Sequence, residues 1–229
     1  YGLVTGDGIR RIDLKSLNNV RIKNERLLCF YNSIIYNGKV LSNDTYKDES
    51  KVKYYDVNEL IAAKEGEAPA VTELDIIQKQ KINFVLAKDG NVYTLESADN
   101  GCNIVKIKND FTLEKVFANF QPAKGPYHSS PTIGMVASET ENIIYLVSTD
   151  GAIYKYILGD SDSLKAPFIA AESGVSITAP LQLNQQSGEL YVTYTEERKD
   201  ESKIVVYSKD GKVLHTVDCG ESVPSQILF

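Results

Sequence analysis

No tryptophan occurs among the 229 residues; methionine appears once, histidine twice and cysteine three times. The cysteines, Cys29, Cys102 and Cys219, lie far apart with no Cys-x-x-Cys spacing, and His128 and His215 are too few to complete a Cys/His zinc site. Three cysteines are also too sparse for a disulfide framework. One pair can bridge if the fold brings it together, but three small buried or half-buried side chains are the simpler expectation. Long hydrophobic runs are missing too. None approaches the roughly 20 residues that cross a bilayer, so no membrane span is expected. With 25 Lys and Arg against 31 Asp and Glu the net charge is −6, and no basic run is present to grip phosphates, which argues against a nucleic-acid partner. Absent as well are a Ser-His-Asp order, a Walker loop and a dinucleotide fingerprint; Gly6, Asp7 and Gly8 lack the third glycine. The chain opens on Tyr1 with no apolar leader, which leaves its compartment open.

What is present has a globular balance, 42% hydrophobic and 24% charged, so the chain is expected to bury a core rather than stay disordered. Its length suits one large domain or two small ones. Short β-branched and aromatic runs predict strands at 82–86, 91–95, 143–148, 152–158, 190–193 and 203–208. Turn pairs punctuate them: Asp7-Gly8, Asn37-Gly38, Asp89-Gly90, Asp150-Gly151 and Asp210-Gly211. Such pairs suit a type I′ hairpin turn, whose two central residues both need positive φ.

Self-similarity is stronger than any single motif. Residues 3–9, 84–93 and 145–154 share one plan of apolar strand, Asp-Gly turn and apolar strand. Residues 47–52 and 199–204 are near-identical (KDESKV and KDESKI), and each opens a strand bearing tyrosine. A third series sets Pro131, Pro180 and Pro224 in apolar runs. Hairpin tips near residues 7, 48, 89, 150 and 200 recur at roughly 40–60 residues, the spacing of a four-stranded propeller blade with insertions. The widest gap is taken to hold insertions at 97–101 and 121–127.

Blades are therefore expected at 26–71, 72–120, 128–172 and 176–219, with 223–229 plus 1–22 forming a fifth from both ends of the chain. The predicted fold is all-β: one β-propeller domain of five four-stranded blades, closed where the C-terminal strand pairs with the N-terminal segment and leaves no open edge. A slice of a longer ring is the alternative. One stretch departs from β. Residues 56–66 predict a short rim helix between third and fourth strands, with Asp56 as N-cap, Glu59 three residues on as in a capping box, and Gly66 at C′.

At residues 129–134 and 143–154, and more loosely at 178–183 with 189–193, the sequence resembles the PQQ-like repeat of quinoprotein-dehydrogenase-type propellers and their non-enzymatic relatives. The resemblance implies the propeller fold. The dehydrogenases carry repeat tryptophans, a Trp beneath the quinone and adjacent cysteines, whereas this chain has no Trp and no Cys-Cys pair. No quinone, and no other cofactor, is expected. The non-enzymatic branch resembles secreted and envelope proteins, which implies an extracytoplasmic or cell-surface setting. An intracellular WD-type scaffold is disfavoured by the lack of any Trp-Asp dipeptide.

In a propeller the first strands line a central channel, and the loops entering them gather at one mouth. Those entries read Glu25, Asp75, Tyr127 with His128, Ser176 and Glu221. Carboxylates from different blades suit a glycoside hydrolase, which needs an acid and a base or nucleophile roughly 5–10 Å apart. Polar turns carry such residues in any case. In the loop 125–130, Gly125 and Pro126 set a sharp path while Tyr127 and His128 offer an aromatic face with hydrogen-bonding tips, suited to a sugar or peptide. An ordinary turn between blades is the plainer reading of that loop. Residues 159–163 begin like a calcium loop but lack the later bidentate Glu and the sixth-position Gly, so no metal is expected. These readings together predict a monomeric, non-enzymatic binding or scaffolding module. Its protein or carbohydrate ligand is expected at one face of the ring, on Tyr127, His128, Glu25, Asp75 and Glu221, and a five-bladed glycoside hydrolase is the alternative.

Overall fold

The computed structural model describes residues 2–6, 8–21, 33–43, 50–67, 69–79, 83–123, 134–196 and 201–224. Five antiparallel sheets follow one another along the chain. The first holds β1 (Gly2–Gly6), β2 (Gly8–Ile12) and β3 (Asn19–Arg21). The second holds β4 (Ser33–Tyr36), β5 (Lys39–Ser42), β6 (Ser50–Asp56) and, after helix α1 (Val57–Ala62), β7 (Val71–Gln78). The third runs β8 (Val85–Leu86), β9 (Val92–Ala98), β10 (Gly101–Ile107) and β11 (Leu113–Phe120). The fourth comprises β12 (Met135–Ala137), β13 (Ile143–Val147) and β14 (Ile153–Ile157). In the fifth, β15 (Val175–Ile177) and β16 (Gln182–Leu183) both pair with β17 (Leu190–Glu196), followed by β18 (Ser202–Tyr207) and β19 (Val213–Gly220).

The packing follows from strands that are apolar on both faces. All five residues of β13 are buried, and they divide by parity. Ile144 and Leu146 join Tyr93, Leu95 and Ile104 of the third sheet. Ile143, Tyr145 and Val147 join Leu190, Val192 and Val205 of the fifth. Strand β10 does the same one sheet earlier: Cys102 and Ile104 face the fourth sheet, while Val105 and Ile107 meet Tyr36, Leu41 and Ile76 of the second. Each such side chain contributes roughly 1.5–3 kcal/mol on burial, so every middle sheet requires a neighbour on either side. The first sheet reaches the second through Arg11, whose guanidinium donates to the Ile61 carbonyl of α1.

Side-chain amides join successive sheets. Asn83, just before β8, donates through Nδ2 to Met135 O (2.8 Å) and accepts at Oδ1 from Met135 N (3.1 Å). Gln185, just after β16, donates to Ala137 O (3.0 Å) and accepts from Glu139 N (2.8 Å). Between the second and third sheets, buried Gln78 donates to Thr94 Oγ1 (2.9 Å) and Leu95 O (3.0 Å) and accepts from Asn43. Gly134 is needed beside Asn83, because a Cβ there would overlap the Asn83 amide.

Several expectations shift. The boundary set at 71/72 falls inside β7, which pairs with β6 and so belongs to the second sheet. Residues 97–101 are no insertion but the tip of the β9–β10 hairpin, with Gly101 at φ 116°. Of 121–127, residues 121–123 lie along the end of β13 (Ala123 N to Val147 O, 2.9 Å) and continue the line of β12, as β15 continues that of β16. In the fifth sheet Pro180, which has no N–H to give, sits in the break between β15 and β16.

Only Asn37-Gly38 has both turn residues at positive φ, 45° and 71°. At Gly90, Gly151 and Gly211 the glycine alone is left-handed, and its N–H bonds the carbonyl three residues back. These are three-residue type I loops with a bulge, not the expected type I′ turns, because each holds one residue too many. Residues 108–112 form the same loop with Phe111 in the glycine's place at φ 65°. Its ring sits 4.6 Å from that of Tyr54 and 5.8 Å from that of Tyr36, a contact with the second sheet that offsets the strain. Asp7 lies outside the described residues.

The predicted helix forms between the third and fourth strands, capped by Asp56, which accepts from Asn58 N and Glu59 N. It ends at Ala63 rather than running to Gly66, whose φ of 78° serves the next turn. Of the expected closing strand, 225–229 lie outside the described residues. Pro224 O accepts from Thr193 Oγ1 (3.3 Å) and Ser222 O from Ser202, so the chain leaving β19 crosses back over its own sheet.

Replacing Asn83 by Ala strips both partners from the Met135 backbone and is expected to cost about 1–3 kcal/mol. Gly134→Ala is expected to destabilise comparably by collision with the same amide. Because the first change removes what the second strikes, urea denaturation of the double variant is expected to show less than the sum of the two losses. Additivity would mean that the amide does not occupy the site described.

Candidate functional site

Of the residues expected at a channel mouth, Glu25, Tyr127 and His128 lie outside the described residues. Asp75 sits mid-way along β7, the last strand of its sheet, with its side chain 89% exposed and 3.5 Å from Lys51. Glu221 is exposed in the turn that follows β19. No hydrogen bond or ion pair joins Asp75 to Glu221, and each stands beside a last strand rather than at the entry to a first one. Ser176 is exposed on β15. In the 159–163 stretch Asp160 caps a 3-10 turn (Ser161–Leu164) and Asp162 pairs with Lys165 at 2.8 Å. Among the described residues no cluster of three or more His, Cys, Asp or Glu is placed to hold a metal.

The structure instead opens a groove at the seam between the third and fourth sheets. It measures about 210 Å³ and is lined by Tyr93, Lys106, Glu114, Lys115, Val116, Tyr156, Gly159 and Ser161. The floor is two buried tyrosines, 1% and 2% exposed, with rings edge-on at 6.4 Å. One wall comes from β10 and β11, where Lys106 and Glu114 stand opposite each other on the face toward the fourth sheet, while Lys115, next to Glu114, turns its ammonium to Glu96 on the other face. The other is the turn after β14, where Gly159 takes φ 88° and lets the chain fold back into the 3-10 turn. Lys106 stands opposite Tyr93 in the β9–β10 ladder with Nζ 5.9 Å from its ring. Tyr145 with Lys155 and Tyr194 with Lys203 repeat that cross-strand pairing in the next two sheets, also at 5.9 Å.

Charges around the groove are matched. Lys106 pairs with Asp89 (2.9 Å), Lys108 with Glu114 (2.9 Å), and Lys115 more loosely with Glu96 (3.7 Å). Burial works against ionised Asp89, yet hydrogen bonds from Lys106, Asn91 and Tyr93 outweigh it and hold the carboxyl below its usual range. The Tyr93 phenol moves the other way, raised by burial and by its 2.9 Å hydrogen bond to Asp89, so it stays neutral and donates. Tyr156 accepts from Gly159 N (3.3 Å), while its own proton has no acceptor among the described residues. The Ser161 hydroxyl has no partner there either. Behind the site, burial and the nearby Glu96 charge push the Cys102 thiol up to about 11, which makes it a packing residue rather than a nucleophile.

Sequence reasoning missed these residues because they come from five separate stretches. The usable signal was the Tyr–Lys pairing at equal distances from a hairpin tip. Since the folded Asp89 carboxyl titrates below its unfolded value, it supports the fold above about pH 4 and loses that contribution as pH falls through the lower folded value. The stability difference between wild type and Asp89→Asn, measured by urea denaturation, is expected to be greatest at neutral pH and to shrink below about pH 4. A gap that widens on acidification would contradict the assigned pairing.

Comparison with solved structures gives the fold a context. Puromycin hydrolase superposes with a TM-score of 0.60 at 13% identity, over 97% of this chain and 35% of that one. Prolyl oligopeptidase B from Galerina marginata gives 0.54 at 12%, over 89% of this chain and 29% of that one. The chain thus spans about a third of the length of these structures. Virginiamycin B lyase from Staphylococcus aureus gives 0.45 at 13%, over 92% and 62%. Puromycin hydrolase and the prolyl oligopeptidase carry β-propellers, and the all-β chain of antiparallel sheets is similar to them in fold. That fold is the part of the expected PQQ-like kinship that these structures share. Among curated proteins none matches the sequence. With residues 2–228 matched by its family model, the chain belongs to the family described as domain of unknown function DUF5074.

Proposed function

We propose that this chain is a non-enzymatic binding module whose five sheets are blades of one propeller, closed by pairing of the C-terminal residues with the opening segment. It acts at an extracytoplasmic or cell-surface site and engages a protein or a glycan at one face. The sequential stacking of sheets, with β8 against β12 and β12 against β16, supports the radial arrangement. The groove carries the binding reading: a solvent-open, polar-walled recess on a floor of packed tyrosines, between sheets joined by a side-chain amide. Pre-set walls of that kind let hydroxyl, ammonium and carboxylate groups meet a ligand with little ordering cost.

Glycan-array screening of the full chain, with the same glycans incubated at length and assayed for released reducing sugar, tests the reading. The expected outcome is saturable binding with no turnover. A parallel screen of Tyr127→Ala/His128→Ala separates a channel-mouth contribution from one elsewhere. Turnover that vanishes in Asp75→Asn or Glu221→Gln would overturn the non-enzymatic assignment in favour of a glycoside hydrolase. A blank array would remove the glycan half of the proposal and leave a protein ligand.

A further inference from the structure

We infer that the groove between the third and fourth sheets takes one neutral sugar ring, an inference that rests on reading the chain as a binding module and names the ligand class of that site. Its size is the first constraint. About 210 Å³ is below the roughly 300–1,000 Å³ of pockets for drug-sized ligands, so it holds a single ring rather than an extended chain. Its polarity is the second. The Tyr156 hydroxyl lines the groove on a residue only 2% exposed, and its proton has no acceptor among the described residues. A buried donor without an acceptor is costly, and a ligand oxygen placed over it recovers that cost. The Ser161 hydroxyl, without a partner among the described residues, is a second donor and acceptor. The Glu114 carboxylate, on the wall across from Ser161, supplies acceptors.

Charge is the third constraint and decides the class. The three ammoniums around the groove are each paired with a carboxylate, so no net local charge awaits an ion. The chain as a whole carries −6, which repels anions at long range. An amine would have to displace Lys106 from Asp89 at 2.9 Å. A ligand that donates and accepts at the same atoms, without a fixed charge, fits interleaved donors and acceptors, and ring hydroxyls do this. Val116 and the tyrosine edges supply the short apolar stretch that meets a ring's C–H face.

The test is a ¹H–¹⁵N titration of the full chain with D-glucose, D-galactose, D-mannose and N-acetylglucosamine, with glucuronate and glycine as charged probes. Saturating shifts at the amides of Lys115, Val116, Gly159 and Ser161 with at least one neutral sugar are expected, and weaker binding of both charged probes. Tyr156→Phe keeps the ring and removes the donor; Ser161→Ala changes only an exposed hydroxyl and leaves the fold intact. Each is expected to weaken that sugar about five- to tenfold. Tighter binding of glucuronate or glycine, shifts confined to other residues, no saturation with any neutral sugar, or unchanged affinity in both variants would each overturn the inference. The outcomes also separate the two readings. Array binding that survives Ser161→Ala and Tyr156→Phe would remove the groove yet keep the binding module, whereas turnover would remove the module itself.

Discussion

A β-sheet that is apolar on both faces has no stable existence beside water on either one, and that constraint organises this molecule. Strand β13 buries every residue, and its odd and even positions belong to different cores. The same parity split in β10 places the third sheet between the second and the fourth. Sheets of this kind stack in sequence because each apolar face is covered by the sheet next along the chain. Burial at roughly 1.5–3 kcal/mol per large side chain outweighs any single polar contact at about 1 kcal/mol, so the apolar clusters supply the stability. The amides do something else. Asn83 bonds both backbone groups of Met135 and Gln185 bonds Ala137 O and Glu139 N, which fixes how far one sheet slides along another.

The tyrosines tie this core to the surface. Tyr93, Tyr145 and Tyr194 are each at most 3% exposed, and each lies opposite a lysine whose ammonium, near the ring, bonds a surface oxygen: Asp89, Lys209 O and Glu172 in turn. Their hydroxyls end on polar partners: Tyr93 on Asp89, Tyr194 on Tyr207. An apolar seam therefore acquires a polar lip wherever such a pair reaches the edge. Asp89 links the lip to the hairpin turn, since it binds the Asn91 N–H that shapes the turn as well as Lys106 and Tyr93.

Local features were legible in the sequence, and features that need two distant stretches were not. Turn dipeptides located the hairpins, because a left-handed residue leaves a glycine behind whichever turn it serves. They did not tell type I′ from the longer loop, which depends on one further residue closing the strand pair. Asp56 announced the helix, since a cap is read within four residues. The boundary after Gln78 was hidden: β7 reads as the apolar start of a new unit, and only its ladder with β6 assigns it to the old one. Asn83 and Gln185 carry no pattern, as a polar residue in a loop usually faces solvent. The groove was least legible, because Tyr93, Lys106, Lys115, Tyr156 and Ser161 meet only once two sheets have packed.

Why the groove opens at this seam follows from what fills the others. Between the second and third sheets, the loop 108–112 carries Phe111, whose ring lies on Tyr36 and Tyr54. Between the fourth and fifth, Phe168 lies against Gly211 in the loop 208–212, where a Cβ would come within 3.3 Å of its ring, and its ring centre is 5.0 Å from the Lys155 ammonium. Both of these seams are stopped by an aromatic ring set in or against a hairpin tip. The turn after β14 brings Gly159 and Ser161 to the corresponding place, with neither a ring nor the bulk of a branched side chain. Among the described residues the fourth sheet also has no regular last strand: Ile169 makes an isolated bridge to Ile153 where the second, third and fifth sheets extend an eight-residue strand. A seam shortened in this way cannot be closed by its own backbone, so its tyrosine floor stays within reach of solvent. What distinguishes the site from those two seams is thus an omission, a missing plug, and the Tyr156 proton, without an acceptor among the described residues, is its chemical trace.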